Sequence, residues 1–215
     1  MEEIIPIPAE EKIPIPDIVV GRLPLYLRAI QTMASAGRQV TSSQELGEHL
    51  GISAAQIRKD LSQFGEFGKQ GTGYTIEYLI TQLQDILQVN QVWEVAVIGA
   101  GDVGHALARY QGFTNRGFKV SLVFDIDPSK IGTQVGGFVV QNISNLLPLA
   151  KEANIKIAML AVPAIVAQAV TDDLIKAGIQ AILNYAPTNL IYPPGIYVQN
   201  IDPVIHLQRM TFYLK

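Results

Sequence analysis

Cysteine is absent from the sequence, which excludes disulfides, thiolate metal ligands and cysteine nucleophiles. Histidine is scarce, since only His49, His105 and His206 occur among 215 residues, so we do not expect a structural zinc site. No apolar run approaches the roughly 18 residues that a membrane-spanning helix needs. Glu2 and Glu3 follow Met1, where a secretory signal would have a basic segment. We therefore expect a cytoplasmic protein with neither a metal nor a membrane partner.

An excess of positive charge is also missing, because the formal net charge is −3. Basic DNA-binding domains usually reveal themselves by composition, and this chain does not. The charge is nevertheless uneven, since residues 1–20 carry five acidic side chains and one lysine, whereas residues 22–73 carry six basic and four acidic ones. The hydrophobic fraction of 48% and the chain length are sufficient for two small folded domains. A local basic surface is compatible with the mildly acidic total.

The first domain is predicted to be helical. Residues 1–20 contain two Pro-Ile-Pro repeats, and we expect them to form a flexible or draped tail. From Leu23 onward, apolar residues recur at helical spacing until Gly37 ends the pattern. Two capping signatures, each with a serine followed by Glu or Gln three residues later, predict helices near residues 43–50 and 54–64. Helices joined by so short a turn form a helix-turn-helix motif.

A glycine-rich segment follows this motif and suits a β-hairpin whose loop is a wing. Four glycines between residues 65 and 73 surround Lys69 and Gln70, and Tyr74-Thr75-Ile76 then reads as a strand. A helix near residues 77–90 closes the domain. We therefore place a winged-helix DNA-binding domain at residues 21–90.

From Val92 the pattern changes to strands that alternate with helices. We expect strands near residues 92–98, 120–124, 155–162 and 181–185 and a helix near residues 103–110. This alternation predicts the α/β class, with a Rossmann-like doubly wound parallel sheet at residues 91–202. Residues 203–215 are too apolar to lie alone in water, so we expect a C-terminal dimerisation helix there.

The first strand of this second domain runs directly into Gly99-Ala100-Gly101-Asp102-Val103-Gly104. In a dinucleotide site the first glycine permits the tight turn, the second lets the backbone approach the pyrophosphate, and the third lets helix and strand pack closely. Asp125 lies 21 residues beyond Gly104 at a strand end, where an acid accepts hydrogen bonds from the ribose hydroxyls and repels a 2′-phosphate. Three glycines alone could simply form a turn, but strand, helix and spaced acid together favour an NAD(H) site. Asp102 is unusual beside a pyrophosphate, since its charge repels phosphate unless it points away.

The second helix of the helix-turn-helix is the candidate DNA-reading element. Ile57, Leu61 and Phe64 share one face, so the opposite side presents polar and basic residues, including Arg58 and Lys59. Arginine and lysine contact phosphates or guanine, and glutamine pairs with adenine. The alternative is an ordinary solvated helix face. The caps, the short turn and the glycine-rich wing favour DNA binding.

Many stretches, in order, resemble the Rex family of redox-sensing transcriptional repressors. The resemblance covers nearly everything from about residue 18 to the C-terminus. The matching stretches are Arg22-Leu-Pro-Leu-Tyr-Leu-Arg28, Ser42-Ser43, Ala55-Gln-Ile-Arg-Lys-Asp-Leu-Ser62, Phe64-Gly65, Gly71-Thr-Gly-Tyr74, Ile98 to Gly104, Tyr110-Gln-Gly-Phe113, Phe124-Asp-Ile-Asp-Pro-Ser-Lys-Ile-Gly132 and Ile182-Leu-Asn-Tyr-Ala-Pro187.

The resemblance implies a homodimer whose C-terminal helix swaps onto the partner's Rossmann domain. It also implies binding to palindromic operator DNA when NADH is low, and release when NADH binds. The family's coupling residues map onto Arg28, Tyr110 and Asp202, of which Arg28 and Asp202 would pair in one state and separate in the other. Two positions depart from the family: Gln70 replaces an arginine found in the wing of some relatives, and Pro203 replaces an apolar residue that commonly reaches the nicotinamide pocket.

Two sets of site residues follow from the motifs and the resemblance together. The expected cofactor-binding residues are Gly99, Ala100, Gly101, Asp102, Val103, Gly104, Tyr110, Asp125, Val162, Pro163 and Asn184. The expected DNA-binding residues are Ser43, Ser53, Gln56, Arg58, Lys59, Gln63, Lys69 and Gln70.

Two other functions remain open on the sequence alone. A nicotinamide-dependent dehydrogenase with an accessory head would need an acid or base beside the nicotinamide, for which Tyr110 and Tyr185 are the formal candidates. His105 is expected on a solvated helix face and His206 in the apolar tail, so neither suits that role. A DNA-binding regulator could also bind another adenylated ligand, such as a CoA derivative, because Asp125 specifies only a free ribose. The sequence favours a repressor, not an enzyme.

Overall fold

The computed structural model describes residues 15–68 and 72–214, which separate into two units, one ending at Asn90 and the other beginning at Gln91. The first unit is mainly helical. Its elements are α1 (Asp17–Val20), α2 (Leu23–Ser35), β1 (Val40–Thr41), α3 (Ser43–Leu50), α4 (Ala54–Leu61), β2 (Tyr74–Thr75) and α5 (Ile76–Ile86). None of the helices in the described ranges has the length and apolar character to span a bilayer.

The helix-turn-helix of this unit is built from local signals that the sequence carries. Ser42 caps α3 in a reciprocal capping box with Glu45, and the hydroxyl of Ser53 accepts a hydrogen bond from the backbone of Gln56 at the start of α4. Gly51 turns the chain between the two helices with φ of 68°, a left-handed conformation that favours glycine. Apolar side chains from α2, α3, α4 and α5 then form one buried core.

Four details of the first unit differ from expectation. The closing helix α5 ends at Ile86 rather than near residue 90. The strand β2 pairs antiparallel with β1, which precedes α3, so among the described residues it is not half of a hairpin around the glycine-rich segment. The helix α4 ends at Leu61, because residues 62–64 form a turn in which Gln63 and Phe64 donate to the carbonyls of Asp60 and Leu61, three residues back rather than four. Residues 17–20 of the expected tail form the short helix α1, which buries Val19, while the rest of the tail up to residue 14 lies outside the described residues.

The second unit contains a seven-stranded sheet with helices on both faces. Its strands are β3 (Trp93–Ile98), β4 (Phe118–Asp125), β5 (Gln134–Val135), β6 (Phe138–Asn142), β7 (Ile157–Leu160), β8 (Ala181–Asn184) and β9 (Tyr197–Asn200). Its helices are α6 (Asp102–Arg109), α7 (Leu146–Glu152), α8 (Ala164–Lys176) and α9 (Pro203–Thr211). The strand order is β5-β6-β4-β3-β7-β8-β9, and every pair is parallel except β5 with β6. The α/β class with a doubly wound, mostly parallel sheet is confirmed.

Alternation along the central strand explains why the sheet has two cores. Val95 and Val97 of β3 point to one face, where they join the core beneath α6. Ala96 and Ile98 point to the other face, where α7 and α8 pack. The strand order reverses between β3 and β7, and ligands of such sheets bind at the carboxyl ends of the strands beside this reversal. Both strands end close to the glycine-rich motif.

Sequence patterns missed several elements of this unit. The helices α7 and α8 and the strands β5, β6 and β9 were not predicted, because short apolar runs and weakly amphipathic helices give little periodicity. The predicted C-terminal helix exists as α9, with Asp202 as its N-cap residue. Exchange of this helix between two copies stays a prediction.

Candidate nucleotide cavity and DNA-contacting helix

Two of the glycines of the motif are required by crowding inside the fold. Gly99 has φ of 99°, and a Cβ built on it would collide with the carbonyl oxygen of Ala161 at the end of β7. A Cβ on Gly104 would overlap the carbonyl oxygen of Gly99, because α6 passes directly over the end of β3. These two positions therefore set the turn and the helix–strand packing.

Gly101 is different, because nothing within the chain requires a glycine there. Its φ of −88° suits any residue, and a Cβ built on it meets no atom within 4 Å. The missing side chain instead leaves the backbone open at the N-terminus of α6, where the helix dipole and free backbone N–H groups favour an anion. This open cradle fits the pyrophosphate of a dinucleotide.

A cavity of about 560 Å³ lies beside this cradle, and its volume is in the usual range of small-molecule pockets. One wall is the glycine motif, the second is the loop after β4, and the third is the segment after β7. Seven of the expected cofactor residues line it: Gly99, Gly101, Asp102, Val103, Asp125, Val162 and Pro163. The structure thus brings the residues of three separate stretches to one place.

Asp125 connects the glycine loop to the loop after β4. Its Oδ2 accepts a hydrogen bond of 2.7 Å from the backbone N–H of Ala100, and its Oδ1 accepts one of 2.9 Å from Asp127. Burial of the carboxyl would raise its pKa, but those hydrogen bonds and the ammonium of Lys130 outweigh this effect, so the pKa of Asp125 lies below its ordinary value. The side chain is therefore a carboxylate at neutral pH, and since Oδ2 also receives the ammonium of Lys130, one lone-pair position remains, on Oδ1.

Lys130 is a cavity residue that the sequence analysis missed. Its Nζ lies 3.3 Å from Oδ2 of Asp125, and its side chain lines the cavity. It stands five residues after Asp125, in a loop without regular periodicity. The only available signal was its place in the stretch that resembles the Rex family.

Four of the expected cofactor residues do not line this cavity. Ala100 is buried in the glycine-rich loop, and Gly104 is buried in the first turn of α6. Tyr110 lies at the end of α6, half exposed, with its ring edge-on to Phe113. Asn184 is fully buried at the end of β8, where its amide nitrogen donates to Thr188 and Asn200 and its oxygen accepts from Ala186. Contact of these side chains with a cofactor stays a prediction.

The exposed face of α4 carries the expected DNA-contacting side chains. Ile57 and Leu61 are buried against the first unit's core, whereas Arg58, Lys59 and Gln63 are exposed. Arg58 donates a hydrogen bond of 2.8 Å to the hydroxyl of Ser43, which begins α3, so the two helices present their polar residues together. Lys69 and Gln70 lie outside the described residues.

A buried carboxylate holds α4 against α2, and the sequence analysis did not single it out. Asp60 is fully buried and accepts hydrogen bonds from Arg22, Tyr26 and Gln56 at distances between 2.6 and 2.8 Å. Arg22 contributes two of these bonds, in the bidentate geometry typical of Arg–carboxylate pairs. Burial would raise the pKa of Asp60. The hydrogen bonds from these three residues have a larger effect in the opposite direction, so the pKa of Asp60 lies below its ordinary value. Nothing in the sequence indicated that Asp60 is buried, because charged residues in a helix that is expected to contact DNA are usually exposed.

The expected coupling residues lie on the surfaces of their own units. Arg28 is exposed on α2. Asp202 is half buried, and its Oδ1 accepts from the backbone N–H of Val204 as the N-cap of α9. The helix α9 exposes a row of apolar side chains, which are Val204, Ile205, Leu207 and Met210, followed by Phe212, Tyr213 and Leu214. Such a surface is unusual for a helix that stays in water.

Two family models match the chain, one in each unit. The model described as a putative DNA-binding protein N-terminus matches residues 14–62. The model described as a CoA binding domain matches residues 90–188. The first covers the helix-turn-helix, and the second covers the cavity and most of the sheet.

Relatives are similar over nearly the whole chain. The redox-sensing transcriptional repressor Rex of Roseiflexus sp. (strain RS-1) is 51% identical over 199 residues, which are 93% of this chain and 90% of that protein. A crystal structure of RSP in complex with beta-NAD+ and operator DNA matches with a TM-score of 0.89 and 34% identity, covering 94% of this chain and 93% of that one. The structure of RSP in complex with beta-NADH matches with a TM-score of 0.84 and 32% identity over 93% of each chain.

Proposed function

The chain belongs to the Rex family of redox-sensing transcriptional repressors. We propose that the residues described above couple operator binding to dinucleotide binding. It is a DNA-binding repressor that senses NADH against NAD+, binding its operator when NADH is low and releasing it when NADH binds. It is not a dehydrogenase, because the relatives that match more than nine-tenths of the chain are repressors. One observation carries the proposal: a helix-turn-helix unit and a nucleotide cavity occur in a single chain that matches a repressor over 93% of its length.

NAD(H) is the nucleotide of this protein, and the cavity fits it. Gly101 and the N-terminus of α6 offer backbone N–H groups for the pyrophosphate. The remaining lone-pair position on Oδ1 of Asp125 suits a hydroxyl of the adenosine ribose, and the charge of Asp125 opposes a 2′-phosphate. We therefore assign Gly99, Gly101, Asp125 and Lys130 to the pyrophosphate and ribose end of the site.

DNA contact is assigned to the exposed face of α4 and the start of α3. Arg58 and Lys59 are free of carboxylate partners among the described residues, so their charge is available to phosphates or to guanine edges. The N-terminal residues of a recognition helix lie closest to the base edges in the major groove. Ser43, Ser53 and Gln56 are at or near such N-termini.

A homodimer is the proposed assembly, with α9 as its contact. The apolar side chains of α9 need a partner surface, and a second copy of the chain would supply it. A dimer with two recognition helices also matches a palindromic operator, in which half-sites lie about one helical turn apart. As a repressor that binds operator DNA, the protein is proposed to act in the cytoplasm.

The switch is a population shift between two arrangements of the dimer. A ligand moves such an equilibrium only by the difference between its affinities for the two states. We assign the coupling to Arg28 on α2, Tyr110 after α6 and Asp202 at the N-cap of α9. Pro203 follows Asp202 directly, at the position where the family commonly has an apolar residue that reaches the nicotinamide pocket.

A mobility-shift titration tests the function directly. Duplexes selected from a random library by the full-length protein would be titrated with NADH and with NAD+ at fixed salt, because affinity for DNA depends steeply on salt. We expect NADH to release the selected duplex at concentrations where NAD+ does not. Unchanged operator affinity at saturating NADH would remove the sensing role, and sustained oxidation of NADH with added oxo-acids would instead indicate an enzyme. Calorimetry with NADPH and acyl-CoA would detect a different adenylated ligand.

A further inference from the structure

Asp60 has no unused hydrogen-bond acceptor. Its Oδ1 accepts from Nη2 of Arg22 at 2.8 Å and from Nε2 of Gln56 at 2.6 Å. Its Oδ2 accepts from Nε of Arg22 and from the hydroxyl of Tyr26, both at 2.6 Å. A carboxylate has about four lone-pair positions, and all four are filled. Since Asp60 and Tyr26 are completely buried, water does not compete for these positions.

This arrangement fixes which end of the Gln56 amide faces outward. A carboxylate paired with a guanidinium only accepts hydrogen bonds, so the amide group facing Asp60 must be the NH2 group. The reverse orientation would place the amide oxygen against a carboxylate oxygen, and the two would repel. Gln56 therefore turns its carbonyl oxygen away from Asp60.

The position of Gln56 gives that oxygen access to DNA. Gln56 is the third residue of α4, is half buried, and stands one turn before Asp60 on the same side of the helix. Its backbone N–H is satisfied by the hydroxyl of Ser53, so the first turn of the helix is held in place. Exposed Arg58 and Lys59 follow within the next turn and would anchor the helix to phosphates.

We propose that Gln56 reads one base of the operator as a hydrogen-bond acceptor only, and so selects a base with an exocyclic amine in the major groove. This inference rests on the proposed DNA contact of α4. The bases with such an amine are adenine, through N6, and cytosine, through N4. A free glutamine would behave differently, because it also donates to N7 of adenine in a bidentate contact. Asp60, Arg22 and Tyr26 are positioning residues that impose the single-acceptor mode.

Modified bases separate the single-acceptor mode from the bidentate mode. After selection of a duplex from a random library, each adenine of a half-site would be replaced in turn by purine, which lacks the N6 amine, and by 7-deazaadenine, which lacks N7. Each cytosine would be replaced by a pyrimidinone that lacks the N4 amine. We expect one position where loss of the amine weakens binding roughly fivefold, the scale of one hydrogen bond, and where loss of N7 has no effect.

Variants assign that position to Gln56. In Gln56→Ala the same position should become indifferent to the amine, while the other positions keep their preferences. Gln44→Ala is the matched control, because Gln44 also donates its amide to a carboxylate four residues later, Glu48, but on the exposed surface of α3. This control should keep the amine preference of the wild-type protein.

The clamp itself is tested by the double substitution Arg22→Met with Asp60→Leu, which replaces the buried pair with apolar side chains. Such replacements are often tolerated, and the amide of Gln56 would then rotate freely. We expect reselection to admit guanine or thymine, which present acceptors, at the position of Gln56. If the double variant does not fold, the comparison of Gln56→Ala with the modified bases decides alone.

Three results would overturn the inference: a 7-deazaadenine effect at the Gln56 position, an amine preference that survives in Gln56→Ala, or no position that depends on an amine. In each case specific binding by the wild-type protein would persist and the proposed function would stand. Absence of any selected duplex would instead contradict the DNA-binding role of the helix.

Discussion

At the scale of single residues, Asp125 is assigned both to binding the ribose of NADH and to opposing the 2′-phosphate of NADPH, and a substitution tests both roles. Asp125→Ser removes the charge that opposes a 2′-phosphate and leaves Lys130 without its carboxylate partner. We expect NADH affinity to fall about 10-fold or more, because hydrogen bonds to charged groups contribute about 1.5–3 kcal/mol. NADPH affinity should rise relative to NADH, since the ammonium of Lys130 then faces the position of the added phosphate.

Calorimetry with both nucleotides measures this change. Asp173→Asn is the control, because Asp173 is an exposed acid that pairs with Lys176 on α8 and does not line the cavity. If Asp125→Ser loses affinity for NADH and NADPH equally and also has a lower melting temperature, the role of Asp125 is structural instead.

Two glycines of one motif should respond in opposite ways to the same substitution. Gly101→Ala meets no neighbouring atom within 4 Å and has a permitted φ, so the protein should fold with an unchanged melting temperature but bind NADH poorly. Gly104→Ala forces a methyl group into the carbonyl of Gly99, so it should lower the stability of the second unit by about 3 kcal/mol or more. Thermal unfolding and NADH calorimetry on both variants check this. Normal NADH binding by Gly101→Ala would show that the pyrophosphate does not lie at this cradle.

At the scale of secondary-structure elements, the ion pair between α2 and α4 predicts a pH dependence of stability. The pKa of Asp60 is lower in the folded protein than the ordinary value of about 3.9. Its stabilising contribution is therefore present at neutral pH and is lost as the pH falls through the folded-state pKa. Asp60→Ala should lower the stability of the first unit by about 3 kcal/mol at pH 7, the cost of breaking a buried pair.

Thermal unfolding of the full chain between pH 7 and pH 3 measures that contribution. The difference between the wild type and Asp60→Ala should shrink toward the acidic end. Glu48→Ala, which changes an exposed acid of α3, should alter the stability by less than about 0.5 kcal/mol at every pH. A pH-independent difference for Asp60→Ala would mean that lost packing, rather than the charge, explains its effect.

The elements that the sequence predicted share a strong local signal. The bounds of α3 followed from its capping box and from Gly51, and the strand before Gly99 followed from a continuous apolar run that leads into a glycine motif. The pairing of β2 with β1 could not be predicted, because it joins residues more than 30 positions apart through two-residue strands. Burial of Asp60 was missed for a similar reason, since its partners Arg22 and Tyr26 lie more than 30 positions away in the sequence, at the start of α2. Charged residues are also rarely fully buried.

At the scale of the whole molecule, α9 predicts that assembly and operator affinity change together. Leu207→Glu and Met210→Glu place charges among exposed apolar side chains, so they should leave the fold of a single copy intact and prevent dimerisation. Operator affinity should then fall by more than 100-fold, because one recognition helix would bind one half-site alone. Gln208→Glu, which alters a polar side chain of the same helix, is the control. Sedimentation and mobility shift provide the measurements, and a dimeric Leu207→Glu variant with full affinity would exclude α9 as the contact.

Communication between the two binding activities is a property of the assembled molecule, and a double-mutant cycle measures it. Arg28→Ala and Asp202→Ala should each preserve operator affinity without nucleotide and NADH affinity without DNA, because neither side chain lies on α4 or lines the cavity. Each should reduce the factor by which NADH weakens operator binding, a coupling typically worth 1–3 kcal/mol. If the two side chains act as a pair, the double variant should lose no more coupling than either single variant. Additive losses would mean that Arg28 and Asp202 affect the switch independently, and normal release in both single variants would remove them from it.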